Sequence, residues 1–196
     1  MKTARKVEVP LDRPLTVKEY NDLNDHAFNS AMWQATNYSR SVKQLRDKLK
    51  DKGYPEDSVE VDWGNEVTEH NMIDDAVNRL KDLRLVDDHQ LAEAIIKSHL
   101  SRGNGISKGR TAAFQKGVPF DVIDEVLEEM DTEDSVSDAL DKAARAILRS
   151  PSYYRTEDKR KRDQKFVQKL VGKGFSFSDI SSWREEFAEL LEDDEF

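Results

Sequence analysis

The sequence predicts an all-α protein, an elongated, curved array of three tandem three-helix repeats with about nine helices in all. Three observations support this fold class. Apolar residues recur at spacings of three and four along most of the chain, which gathers them on one face of a helix. Helix-start signals, a Ser, Thr or Asp followed three residues on by Glu or Gln, stand at the head of several of these stretches. One string, Lys-Gly then an apolar residue then helix-start chemistry, occurs three times.

Residues 1–15 lack helical periodicity and contain Pro10 and Pro14, so a flexible N-terminal arm is expected there. Thr16-Val17-Lys18-Glu19 fits a capping box, in which the threonine hydroxyl and the glutamate each meet a free backbone N–H; a helix follows to Asn37. Ser41-Val42-Lys43-Gln44 has the same form. It opens a helix with Val42, Leu45 and Leu49 on one face, closed by a left-handed glycine at Gly53. Residues 57–70 keep no helical period. With Trp63-Gly64-Asn65 and the acids Asp57, Glu60, Asp62, Glu66 and Glu69, they read as an acidic insertion with a short extended piece at 59–61. Ile73, Val77, Leu80 and Leu83 then mark a clear helix.

Asp87-Asp88-His89-Gln90 is a third helix start, with Asp87 as N-cap. Its helix, running to Ser101, is expected to bury Leu91, Ile95 and Leu100 with help from Ala92 and Ile96. Arg102-Gly103-Asn104-Gly105 is a tight turn, and the short helix after it ends at Gly117. Val122, Ile123, Val126, Leu127 and Met130 form the next apolar face. Val136, Leu140, Ala143, Ile147 and Leu148 form the one after, stopped by Pro151. The eighth helix is expected from Thr156, with Phe166, Val167, Leu170 and Val171 inward, and ends at Gly174. The ninth carries Ile180, Trp183, Phe187 and Leu191, with an acidic tail at 193–196.

The recurring string appears as Lys52-Gly53-Tyr54-Pro55-Glu56-Asp57, as Lys116-Gly117-Val118-Pro119-Phe120-Asp121 and as Lys173-Gly174-Phe175-Ser176-Phe177-Ser178-Asp179. The gap between the first two is the longer and contains the insertion. The expected division is repeat 1 over 16–84 with the insertion near 57–70, repeat 2 over 85–131 and repeat 3 over 132–192. Each unit buries its apolar face partly against its neighbour, which is why an elongated shape is expected.

Composition agrees with a thin helical protein. The chain is 36% charged and 37% hydrophobic, a low apolar share that suits an array with little interior. It has no cysteine, which excludes disulfides and thiolate metal sites and makes a reducing cytoplasm the expected location. The first residues lack the apolar core of a secretory signal, and no run approaches the about 20 apolar residues of a membrane span. A net charge of −9 argues against a protein whose main affinity is for bulk nucleic acid, but not against one that binds a protein coated on nucleic acid.

The central segment Leu83-Arg84-Leu85-Val86-Asp87-Asp88-His89-Gln90-Leu91-Ala92-Glu93-Ala94 resembles the most recognisable stretch of the RecX family. So do Ser98, Arg102-Gly103-Asn104-Gly105 and Lys116-Gly117-Val118, and the run from Ser41 to Gly53. The resemblance extends over residues 26–190, and the tripled three-helix layout is that family's architecture. Gly109 stands where the family usually has Ile or Leu, so the short helix there is expected to be repacked or looser; Gln44 stands where the family prefers Glu. The resemblance implies a partner, the RecA filament on single-stranded DNA. It also implies a role: lying in the filament groove, bridging protomers, and suppressing ATP hydrolysis, strand exchange and the co-protease activity that triggers the SOS response.

Two basic clusters are candidates for contact with an acidic protein surface or DNA phosphate: Arg102, Lys108 and Arg110; and Arg155, Lys159, Arg160, Lys161, Arg162 and Lys165. The alternative for the second is a solvated helix face balanced by Glu157, Asp158 and Asp163. Asp87 and Asp88 are read as helix caps rather than as metal ligands or an acid–base pair. His26, His70, His89 and His99 have no ligand spacing, so no metal is expected. Trp33 and Trp183 are expected in the core. Trp63 either anchors a partner or pins the insertion. Tyr153-Tyr154 is expected to pack into its turn, with stacking on bases beside Arg155 as the alternative. No nucleophile motif and no phosphate-cradling loop is present, so neither enzymatic activity nor a cofactor is expected. The expected partner is the RecA nucleoprotein filament, with a weak direct contact to single- or double-stranded DNA, no membrane, and a monomeric chain. A nucleic-acid-binding helical module and a helical scaffold for another protein remain the alternatives.

Overall fold

The computed structural model describes residues 6–155 and 158–189, which form ten helices and one small sheet. The expected helix start at Thr156, the inward residue Leu191 and the acidic tail lie outside the described residues. The chain divides into two compact units, residues 1–91 with 116–118, and residues 92–115 with 119–196.

The first unit runs β1 (Leu15–Thr16), α1 (Val17–Asn37), α2 (Val42–Asp51), β2 (Val59–Asp62), β3 (Val67–His70) and α3 (Met72–Asp82). α1 starts at the expected capping box: Thr16 Oγ1 accepts the Glu19 N–H, and Glu19 accepts the Thr16 N–H. Its buried residues are Tyr20, Ala27 and Ala31, and the two alanines let α3 approach closely. Trp33 lies two residues beyond Ala31, roughly 200° around the helix. It therefore faces solvent at 54% exposure, which corrects its expected place in the core. Leu45 and Leu49 of α2 and Ile73, Ala76, Val77 and Leu80 of α3 fill the interior. Leu83, expected on that face, is instead the exposed C-cap of α3.

The acidic insertion is a β-hairpin. β2 pairs antiparallel with β3, and β1 adds in parallel on the other edge of β2. Strand alternation puts Val59 and Val61 in the core and Glu60 and Asp62 in solvent. Trp63 donates through its backbone N–H to the Glu66 carbonyl at 2.9 Å and through Nε1 to Thr68 Oγ1 at 2.7 Å, fastening the hairpin end. Its ring also meets Tyr20 and His70.

Helix α4 (Asp88–Ser101) begins in the first unit and continues into the second. Asp87 Oδ1 accepts the Gln90 N–H at 3.0 Å, capping its own helix as expected. Asp88 Oδ1 accepts the Val42 N–H at 2.9 Å, so it caps α2 instead. Burial pushes the Asp88 carboxyl above the ordinary carboxylate range, against the lowering effect of that backbone donor.

The second unit holds the rest of α4 with α5 (Ile106–Gln115), α6 (Phe120–Glu129), α7 (Glu133–Leu148), α8 (Pro151–Tyr154), α9 (Lys159–Gly172) and α10 (Phe177–Glu186). The four-residue α8 is the helix not counted from sequence, as β1 and β3 are the strands not expected from it. α4 buries Ala92, Ile96 and Leu100; Leu91 and Ile95, expected to lead that face, are only half-buried beside it. Gly109 is buried against that face. A Cβ there would stand 3.0 Å from the Ile96 Cα, so α4 and α5 meet more closely than a larger residue permits. The short helix is repacked by close approach and is not loosened. α7, α9 and α10 pack around Leu140, Ala143, Phe166, Leu170, Ile180 and Trp183, and Trp183 Nε1 donates to Asp141 at 3.2 Å.

The recurring Lys-Gly string has one structural job in all three places. The lysine carbonyl accepts a hydrogen bond from an earlier part of the chain: from Val7 N at 2.7 Å to Lys52, from Ser41 Oγ at 2.6 Å to Lys116, and from Gly105 N at 2.9 Å to Lys173. The glycine has φ of +102° at Gly53, +90° at Gly117 and +93° at Gly174. It also faces that earlier segment. A Cβ would lie 2.5 Å from the Val7 carbonyl oxygen, 2.9 Å from Ser41 Oγ, or 2.8 Å from the Lys108 backbone nitrogen. The apolar residue after it, Tyr54, Val118 or Phe175, is buried. At the first and third, N–H groups of Tyr54 and Phe175 reach back to Leu49 and Leu170, closing the helix end by a Schellman motif. The string is thus a helix stop whose missing Cβ makes room for another segment. Residues 6–15 of the expected arm are held at the first of these notches, with Val7 and Val9 packed on the core.

Candidate partner-binding surfaces

Arg102 is exposed in the turn that ends α4. Lys142 of α7 donates to the Ser101 carbonyl at 2.8 Å, and Lys173 donates to the Gly103 carbonyl at 3.4 Å. Lys108, in the first turn of α5, lies against Gly174. Four cations from four places in the sequence therefore surround one glycine turn. No carboxylate of a described residue is within ion-pair reach of any of them. Lys142 and Lys173 were not candidates from sequence, because nothing in their own segments indicates that they reach this turn. Arg110 differs. It is ion-paired to Asp124 at 2.7 Å, and its guanidinium sits 5.5 Å from the Phe120 ring centroid. Phe120 stacks on Phe114 at 4.1 Å, and both rings are about half exposed.

The second cluster lies at the start of α9. Asp158 is the N-cap, accepting the N–H groups of Arg160 and Lys161 at 2.9 and 3.3 Å. Lys159, Arg160, Lys161 and Arg162 then fill the first turn, with no acidic residue among them. Positive charge is disfavoured there, because the aligned peptide dipoles leave partial positive charge at a helix N-terminus. Arg155 and Lys165 are exposed, and Arg162 lies over the Tyr153 ring at 5.9 Å. Tyr153 packs into its turn edge-on to Phe166, as expected; the Tyr154 side chain and the balancing Glu157 lie outside the described residues.

The structure separates the two clusters. The Gly103–Gly105 turn meets the C-terminal end of α9 through Lys173 and Gly174, whereas the second cluster sits at its N-terminal end. The 14 residues of α9 span about 21 Å at 1.5 Å per residue. Among the described residues no group of three or more His, Asp or Glu side chains is placed to hold a metal ion. No described helix is long and apolar enough to cross a membrane.

A family model described as RecX, first three-helix domain, matches residues 27–61, which cover the end of α1, all of α2 and the entry to the hairpin. The regulatory protein RecX of Clostridium perfringens is 31% identical over 156 residues, 79% of this chain and 65% of that protein. The chain belongs to the RecX family. A second relative, regulatory protein RecX of Bacillus velezensis, is 30% identical over 181 residues, 90% of this chain and 60% of that protein. The chain thus spans less than two thirds of the length of these curated RecX relatives. The crystal structure of RecX from Lactobacillus salivarius superposes with a TM-score of 0.70 at 20% identity, covering 86% of this chain and 99% of that one. A second RecX crystal structure gives 0.65 at 22% identity, covering 90% and 79%. The RecX relatives bear the name of regulatory proteins, and the solved structures share this fold.

Proposed function

We propose that the chain regulates RecA recombinase by binding in the groove of the RecA filament on single-stranded DNA. There it suppresses ATP hydrolysis, strand exchange and the co-protease activity behind the SOS response. It acts in the cytoplasm as a monomer, with no catalytic centre or cofactor of its own. The division into three repeats, 16–84, 85–131 and 132–192, is part of the same reading and is supported by the three equivalent Lys-Gly notches. The observation behind the reading is the pair of cationic groups at opposite ends of α9, about 21 Å apart at 1.5 Å per residue. A single ordered helix presenting charge at both ends suits two-point attachment to an extended, acidic partner surface. Arg102, Lys108, Arg155, Lys159, Arg160, Arg162 and Lys165 make these contacts, and Arg110 joins them if Asp124 releases it.

The test is the single-stranded-DNA-dependent ATPase rate of the cognate RecA, titrated with this chain well below the RecA concentration. The expected result is a clear loss of rate at substoichiometric ratios, because one bound molecule then holds many protomers. Unchanged ATPase at equimolar protein, with the chain shown to be folded, overturns the proposal and leaves a scaffold for another partner.

A further inference from the structure

Charge is unevenly placed along the chain. It has 31 Lys and Arg, yet none between Lys52 and Arg79, where eight Asp and Glu stand. Some of these acids are occupied: Glu56 pairs with Lys50 at 2.9 Å, Asp74 pairs with Arg46 at 2.5 Å, and Asp75 accepts the Tyr20 hydroxyl. Asp62 Oδ1 accepts the Gly64 N–H at 2.7 Å. The side chains of Glu60, Glu66 and Glu69 have no ion pair or hydrogen bond with a described residue.

The hairpin gathers free carboxylates on one face. Glu60 lies directly opposite Glu69, and Asp62 opposite Val67. Strand alternation turns all four away from the buried Val59 and Val61. Like charges directly opposite destabilise a strand pair, and no cation of a described residue offsets this one. β3 is also the outer strand of the sheet. Its far edge pairs with no other described strand, none of its four residues is buried, and Val67 is 52% exposed. Unpaired N–H and C=O groups along such an edge are a template for an added strand. A strand added there runs about 4.8 Å from β3 and places alternate side chains on the face of Val67 and Glu69. Lysine or arginine at those positions meets Glu69, reaches toward Glu60 and relieves their repulsion. A second copy of this chain does not fit, because it sets Glu66 and Glu69 against their own kind.

We propose that the free edge of β3 docks an extended, lysine- or arginine-rich segment of a partner protein, held by main-chain hydrogen bonds to Val67–His70 and by the carboxylates of Glu60 and Glu69. The site uses none of the cations of the filament reading, and either can fail alone.

The test uses the full chain without RecA, at low salt, with a short blocked peptide of alternating Lys and Thr, followed by amide NMR. The peptide should shift the amides of Val67–His70 and slow their hydrogen exchange. The same peptide N-methylated at its threonines keeps its charge but loses main-chain donors, and should bind about ten-fold more weakly. Glu60→Gln with Glu69→Gln should weaken binding about three-fold or more, while raising the thermal midpoint, since the cross-strand repulsion is gone. That opposite sign separates lost binding from lost folding. Glu125→Gln with Glu128→Gln removes the same charge from the exposed side of α6 and should leave binding unchanged. Four results each overturn the proposal: no response at β3, equal binding by the N-methylated peptide, an equal loss in the α6 pair, or concentration-dependent β3 shifts without peptide. The last makes the edge a contact between copies of this chain.

Discussion

Gly53, Gly64 and Gly174 allow the close approach at the Lys-Gly turns to be measured apart from backbone strain. All three have left-handed φ, at +102°, +87° and +93°. A Cβ at Gly64 meets nothing within 4 Å, whereas one at Gly53 falls 2.5 Å from the Val7 carbonyl oxygen and one at Gly174 falls 2.8 Å from the Lys108 nitrogen. Gly64→Ala therefore bears only the left-handed penalty, about 1 kcal/mol. Gly53→Ala and Gly174→Ala bear that and more. The neighbouring backbone must move, which costs about 1–3 kcal/mol, and the hydrogen bond to Lys52 or Lys173 weakens, worth about 1 kcal/mol. We expect destabilisation of about 1 kcal/mol for Gly64→Ala and roughly 3–5 kcal/mol for the other two. Urea unfolding followed by circular dichroism measures the difference through the midpoint at unchanged slope. Equal losses in Gly53→Ala and Gly64→Ala would refute the idea that the Lys-Gly turn is a docking notch.

Other expectations concern charge. Asp88→Asn keeps an acceptor for the Val42 N–H without a buried charge, so it should be at least as stable as wild type at neutral pH. Asp88→Ala should lose about 1 kcal/mol, and an equal loss in Asn would refute the capping role. The Asp88 carboxyl is raised in the fold, so the proton it holds favours the folded state. That contribution is complete below the ordinary carboxylate range and fades as pH rises through the raised value; Asp88→Asn should remove this slope. Glu19 has the opposite sign: the Arg13 guanidinium, with the Thr16 backbone and hydroxyl, holds its carboxyl at about 2. The α1 capping box should therefore persist below the ordinary carboxylate range and open only near that value, read from the Thr16 amide shift in an NMR titration. Lys159→Glu with Arg160→Glu should stabilise α9 by about 0.3–1 kcal/mol each, by matching the helix dipole, and under the proposed function the pair should also weaken inhibition of the RecA ATPase. Unchanged inhibition would remove these residues from the partner surface.

Helix positions, most caps and the three Lys-Gly stops were legible in the sequence, because each depends on residues within a turn or two of one another. The insertion was visible as a break in period, but its pairing was not. Glu60 opposite Glu69 is a like-charge pair that strand propensity would not select. Of the candidate partner residues, the stretch from Arg155 to Lys165 was legible as a charge run. The first cluster was only half visible, since Lys142 and Lys173 arrive from α7 and the α9 turn, and Arg110 is drawn off by Asp124.

The set of helices, their apolar faces and the residues that stop them follow from the order of amino acids alone, since three- and four-residue spacing and glycine's backbone freedom are local properties. Tertiary structure alone decided what those stops receive, why Trp33 faces solvent and which cations share a turn. These depend on how far one helix is rotated against another and on hydrogen bonds between distant positions, such as Ser41 to Lys116, and no local spacing encodes either.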